Sequence, residues 1–200
     1  MIGIALVCMV VGVFCGLFFF SPEANAAMDA IASAALNVLI LTVGIDIGCH
    51  KEVFAKIKGH GVKLLLIPMG VVAGTLAGGL LVGALFGMRV GESGAIASGL
   101  GWYSISAVLL KEVGGPQLGT VAFLTNIFRE VLTVFSIPLV VKLCGPIAAV
   151  APGGATSMDT TLPIVAKYTD EETAVISVVS GVVTTALVPI LVPFFYGLPF

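Results

Sequence analysis

Apolar residues fall along this chain in long blocks, and most blocks have the length of a bilayer. A transmembrane helix needs about 20 mostly apolar residues. Five blocks meet that need, at residues 2–20, 30–47, 64–87, 118–141 and 173–196. Two further blocks, 94–110 and 146–166, are interrupted by Gly-Leu-Gly-Trp-Tyr-Ser (99–104) and Pro-Gly-Gly-Ala-Thr-Ser-Met-Asp (152–159). The pattern predicts an all-α polytopic transmembrane helical bundle, one membrane domain over 1–200, with five full spans and two broken ones, discontinuous or re-entrant.

Composition narrows this further. Hydrophobic residues make up 58% of the chain and charged residues 10%, against about 25% charged in a soluble fold. The mean hydropathy is +1.17. Most of the surface must therefore face lipid, and the bilayer is the first partner. A net charge of −2 with no basic stripe argues against nucleic acid. Cys8, Cys15, Cys49 and Cys144 form no CxxC pair and have no histidine at metal-ligand spacing, so neither disulfide nor metal is expected. Alanines after residue 20 resemble a signal-peptidase site, but no Lys or Arg precedes the first apolar run. A retained helix is the reading.

Charge bias sets the orientation. The linker 48–63 carries Lys51, Lys56, Lys58 and Lys63, which predicts a cytoplasmic position. The N-terminus is then cytoplasmic and the C-terminus outside, in the inner (plasma) membrane, whether the broken segments both span or both re-enter. Gly70, Gly74 and Gly78 form a small-residue ladder and predict a helix-packing face.

Charge at membrane depth is costly, about +2.5–3.5 kcal/mol per residue on insertion scales, and persists where it faces a cavity or partner. Three groups stand out. In 118–141, Asn126, Arg129 and Glu130 occupy neighbouring helical positions, as a structural ion pair or as a solute or proton site. In 151–163, Thr156, Ser157, Asp159, Thr160 and Thr161 lie between helix-breaking Pro152-Gly153-Gly154 and Pro163. Unwound backbone at membrane depth is tolerated only when buried in protein or lining a cavity. Free carbonyls and Asp159 there suit a cation; a surface loop capped by Asp159 is the alternative. In 98–106, glycines precede Trp102, Tyr103 and Ser104, as an interfacial anchor or a break lined by recognition groups. Asp46 reads as a helix-boundary residue, His50 and His60 as solvated, and Asp170, Glu171 and Glu172 as the acidic start of the last helix.

The runs ASGLGWYSIS (97–106), FLTNIFRE (123–130) and GGATSMDTTLP (153–163), in this order, resemble the bacterial lysine exporter family, LysO. The end of the second block, TVGIDIG (42–48), is similar as well. The resemblance covers about 30–196, the C-terminal two-thirds of a typical member. It implies that Glu130 and Asp159 are the acidic groups that matter for transport. It also implies that the missing N-terminal helices come from a small membrane subunit or from a second copy in a homo-oligomer.

The expectation is a secondary transporter, not an enzyme, exporting a cationic amino acid, lysine or an analogue. The expected site is Asp159, Glu130, Arg129, Asn126, Ser157, Thr156, Trp102, Tyr103 and Ser104, with no cofactor beyond a coupling proton or sodium ion. A passive channel or holin-like pore-forming oligomer is the alternative. Ser104 and Ser157 could be nucleophiles, but no histidine lies at membrane depth to serve as base.

Overall fold

The computed structural model describes residues 62–199, together with scattered positions nearer the N-terminus. Those positions (Val7, 10–12, Phe14, Cys15, Ile31, Ala34, Ala35, Val38, Leu41, Thr42, Ile45 and Cys49) are all helical. They fall in or beside the first two predicted blocks. The linker residues Lys51, Lys56 and Lys58, Asp46, His50, His60 and the alanine-rich segment after residue 20 lie outside the described residues. The chain divides into two compact units, 1–49 and 50–200.

Among the described residues the second unit is helical throughout. After a 3₁₀ turn, Val62–Leu65, helix α1 runs over Leu66–Leu85, in the block predicted at 64–87. Its end is chemically specified: Gly87 (φ 67°) reverses the chain, and Gly87 and Met88 N–H groups bond Ala84 O at 3.3 Å and Gly83 O at 2.9 Å. That pairing satisfies carbonyls left open by the helix end. Helix α2 (Val90–Ala97) leads to a break at Ser98–Trp102, followed by α3 (Tyr103–Gly114). Helix α4 (Pro116–Cys144) is the longest, with Pro116 at its first position, where its missing N–H costs nothing.

The second broken segment is more fragmented. It comprises a 3₁₀ turn (Ile147–Ala149), α5 (Val150–Gly153), a second 3₁₀ stretch (Gly154–Met158) and α6 (Leu162–Tyr168). Helix α7 (Glu171–Tyr196) closes the unit. Its start is the acidic one expected: the Asp170 carboxylate accepts the Thr173 N–H at 2.7 Å, and Glu171 and Glu172 follow in the first turn. This places negative charge at the positive end of the helix.

Helices α1 and α7 are both long and apolar enough to cross a membrane, yet they are used differently. About a fifth of α1 is buried, against more than half of α7. Side chains such as Leu66, Leu81, Leu85 and Phe86 project outward from α1. Helix α7 turns Ser177, Ser180, Thr184 and Val188 inward.

Among the described residues the glycine ladder is not where α1 packs. Cβ atoms built on Gly70, Gly74 and Gly78 would meet nothing within 4 Å among the described residues. The close approach is made by Gly79 and Gly83 instead, whose added Cβ atoms would collide with Ala97 and Ser93 of α2. The four-residue small-residue spacing recurs on both faces of α1, so spacing alone could not choose between them.

Candidate functional site

The two breaks meet each other. In the first, Leu100 (φ 48°) and Gly101 (φ 98°) turn the chain through the left-handed region. Leu100 is a side-chain-bearing residue there, a conformation that costs on the order of 1–3 kcal/mol, and its side chain is fully buried. Its carbonyl accepts the Ala155 N–H of the second break at 2.9 Å. Gly154 (φ 58°) stands against that same carbonyl so closely that an added Cβ would collide with it.

Helix α4 ties both breaks down. Asn126, 2% exposed, accepts the Gly101 N–H on Oδ1 at 2.7 Å and donates to Ser106 Oγ at 3.2 Å and Ala122 O at 2.9 Å. Arg129, half-buried, donates from Nε to Pro152 O at 2.9 Å and from Nη2 to Ala151 O at 3.4 Å. These carbonyls close the C-terminal end of α5, where orphan acceptors and the helix dipole both favour a cation. The 2.9 Å bond to Pro152 O is of the charge-assisted kind that contributes about 1.5–3 kcal/mol; the longer, exposed one to Ala151 O contributes less. The structural ion pair considered for Arg129 and Glu130 is not formed among the described residues; Arg89 pairs with Glu92 at 2.7 Å. Consecutive residues project about 100° apart on a helix, and Arg129 turns to α5 while Glu130 turns inward.

Glu130 is the outlier. It is 1% exposed, and neither carboxyl oxygen has a hydrogen-bond partner among the described residues. Thr160 approaches it, and Asp159 and Tyr103 lie within electrostatic reach of it. An uncompensated buried carboxylate costs several kcal/mol. A proton on the carboxyl, the Thr160 hydroxyl beside it or a cation would each offset that cost. Asp159 itself is exposed, and its Oδ1 accepts from Thr160 N at 2.5 Å and Thr160 Oγ1 at 3.3 Å.

The remaining predicted residues divide in two. Thr156 and Ser157 are buried and committed to backbone: Thr156 Oγ1 donates to Gly153 O at 3.0 Å, and Ser157 Oγ to Gly154 O at 2.7 Å and Ser177 O at 2.9 Å. Ser177 returns the bond, to Ser157 O at 2.7 Å. Trp102, Tyr103 and Ser104 are half-buried at the start of α3, Tyr103 edge-on to Phe123 with centroids 5.6 Å apart. Ser106, a hydroxyl of the first predicted break, is buried and accepts from Asn126. The sequence reading misses Ser177, whose only signal is a polar position in an apolar block.

Two open cavities flank Arg129, of about 840 and 360 Å³. Both are walled by Gly74, Thr75 and Thr125, and the smaller also by Asn126. Neither is lined by Glu130 or Asp159.

A family model described as "Lysine exporter LysO" matches residues 6–196, which takes in both breaks, α4 and Glu130. The chain belongs to the lysine exporter family. Within that family it is 34% identical over 173 residues to a putative lysine exporter of Haemophilus influenzae, covering 82% of this chain and 83% of that one. It is 32% identical over 164 residues to lysine exporter LysO of Escherichia coli, covering 80% of this chain and 53% of the relative. No solved structure matches. The family match starts well before residue 30, where the motifs alone began it. This lysine exporter family chain spans about half the E. coli relative but most of the H. influenzae one. Membership makes it a membrane transport protein rather than an enzyme.

Proposed function

We propose that this protein exports a basic amino acid, lysine or a close analogue, by secondary transport coupled to an inward proton or sodium gradient. The observation that carries the reading is Glu130: a carboxyl 1% exposed, without a hydrogen-bond partner among the described residues, beside two broken helices. A cationic substrate group or a coupling ion is what such a carboxyl lacks. Asp159 and Tyr103 are within electrostatic reach of it. In this reading Asp159 holds the second charge, at the exposed side, while the half-buried Trp102, Tyr103 and Ser104 contact the aliphatic chain. The names of the family and of its two relatives support amino-acid export.

The same reading puts the N-terminus in the cytoplasm and the C-terminus outside, following the lysines of 48–63. It also takes a second copy of the chain or a small membrane subunit as the partner.

The test is efflux of labelled lysine from vesicles reconstituted with the purified protein. Efflux should accelerate with an imposed inward proton or sodium gradient, and Glu130→Gln with Asp159→Asn should abolish it. Exchange unchanged in that double variant would overturn the site. Flux that persists without any gradient and scales as a conductance would replace the transporter by a passive pore.

A further inference from the structure

Asn126 and Arg129 lie one turn apart on α4, and each holds a different broken helix. Asn126 Oδ1 receives the Gly101 N–H of the first break at 2.7 Å. Arg129 Nε and Nη2 reach Pro152 O and Ala151 O at the second, at 2.9 and 3.4 Å. Between these ties the breaks bond directly, Ala155 N–H to Leu100 O at 2.9 Å. The junction has no spare volume. A Cβ on Gly101 would come within 2.9 Å of Gly153 O, and one on Gly154 would collide with Leu100 O and stand 2.9 Å from Arg129 Nη2. Gly99 is closed off in the same way by the Asn126 amide.

The hydrogen-bonding capacity of Asn126 is largely spent, on Gly101, Ser106 and Ala122. Arg129 directs two of its nitrogens at helix-end carbonyls. What is left of the guanidinium borders cavities lined by neither Glu130 nor Asp159. A charged guanidinium at membrane depth needs compensation, and the α5 carbonyls supply it without a ligand.

We propose that Asn126 and Arg129 are positioning residues that lock the two breaks into one rigid body. Arg129 then acts on transport through the α5 backbone, not by holding the carboxylate of the amino acid. The body carries Tyr103 on one break and Asp159 on the other, with Glu130 on the shared strut, so all three keep one geometry when the site is opened to either side. This rests on the export reading for its transport readout but not for its structural one.

Hydrogen exchange followed by mass spectrometry on the detergent-purified full chain tests the rigid body without any substrate. Arg129→Ala should speed exchange at least about 10-fold in 98–103 as well as in 150–156. Asn126→Ala should do the same in both segments, with α1 and the middle of α7 unchanged as the internal control. Acceleration confined in each variant to its own break overturns the proposal. If Arg129→Ala does not fold, Arg129→Gln, which keeps a donor but loses the charge and the second nitrogen, is read by the same criterion.

Vesicle transport then separates positioning from carboxylate binding. Lysine and lysine amide, which lacks the carboxylate, are compared as competitors. Positioning predicts that Arg129→Gln lowers the maximal rate at least about 10-fold and keeps the lysine-to-amide preference within about two-fold of wild type. It also predicts that Arg129→Lys recovers part of the rate. A raised KM with that preference collapsed would make Arg129 a ligand and overturn the proposal. Absence of lysine transport by the wild type would count against the export reading alone, leaving the exchange result to decide this one.

Discussion

The two breaks contain similar residues and spend them differently. The second, residues 153–161, holds the richest run of hydroxyls at the site, yet Thr156, Ser157 and Thr161 are buried and bonded to local or α7 carbonyls. The first, residues 98–104, is poorer in hydroxyls: nearby carbonyls take most of its backbone N–H groups, and Asn126 of α4 takes that of Gly101. That leaves Trp102, Tyr103 and Ser104 half-exposed. A polar run interrupting an apolar helix therefore need not be a binding surface, because unwound backbone must first satisfy itself. What remains for a ligand is the remainder after that accounting: Glu130, Asp159 and the residues opening α3.

The largest expected effect follows from that remainder. Glu130→Gln should lower lysine flux at least about 30-fold, from the 2–5 kcal/mol associated with removing one partner of a buried charge pair. Asp159→Asn, at an exposed position, should cost less, since solvent screens it. Initial rates in reconstituted vesicles would check the order. A larger loss from Asp159 would move the centre of the site to the second break.

The approach to the first break offers the next contrast. Gly83→Val forces a side chain into Ser93 of α2 and should destabilise by about 1–3 kcal/mol, the usual cost of overpacking. Gly74→Val, where an added Cβ meets nothing within 4 Å among the described residues, should shift the thermal midpoint far less. Equal shifts in detergent melts would mean that the ladder at Gly70, Gly74 and Gly78 is a packed surface after all.

A smaller effect isolates the second break. Ser157 and Ser177 exchange hydroxyl bonds with each other's carbonyls, so Ser157→Ala and Ser177→Ala should each cost about 1 kcal/mol. Because the two bonds tie the same pair of backbone segments, the double variant should depart from the sum of the single ones. Lysine affinity should be unchanged in Ser177→Ala, as expected if these hydroxyls are structural.

The smallest effect lies at the start of α7. The Thr173 backbone N–H holds the Asp170 carboxyl below its usual range. A carboxyl depressed in the folded state stabilises above its unfolded pKa, and that contribution is lost as pH falls through the lower folded value. Asp170→Asn should therefore show a slightly lower thermal midpoint near neutral pH and converge on the wild type in acid. An unchanged gap across pH would show that the charge is not what caps the helix.

Much of the architecture was legible in the sequence because bilayer-length apolar blocks and Gly/Pro interruptions are strong local signals. The helices at 66–85, 116–144 and 171–196 and both breaks follow from them. Glu130 stood out because charge in such a block is expensive. What was not legible was which polar groups cancel one another. Arg129 and Glu130 are adjacent in sequence yet project about 100° apart on α4, and Asn126 reaches a backbone N–H 25 residues away. Ser157 finds Ser177 across 20 residues and two elements. Such pairings are set by how the broken segments cross, which no spacing rule encodes.

The claim under all of this is that Glu130 is the vacancy a cation fills. Lysine binding to purified protein in detergent, measured by calorimetry beside norleucine, tests it most directly, since norleucine keeps the chain and lacks the ε-ammonium. The account predicts binding of lysine but not norleucine by the wild type, and loss of lysine binding in Glu130→Gln. Undiminished lysine binding by Glu130→Gln would contradict it.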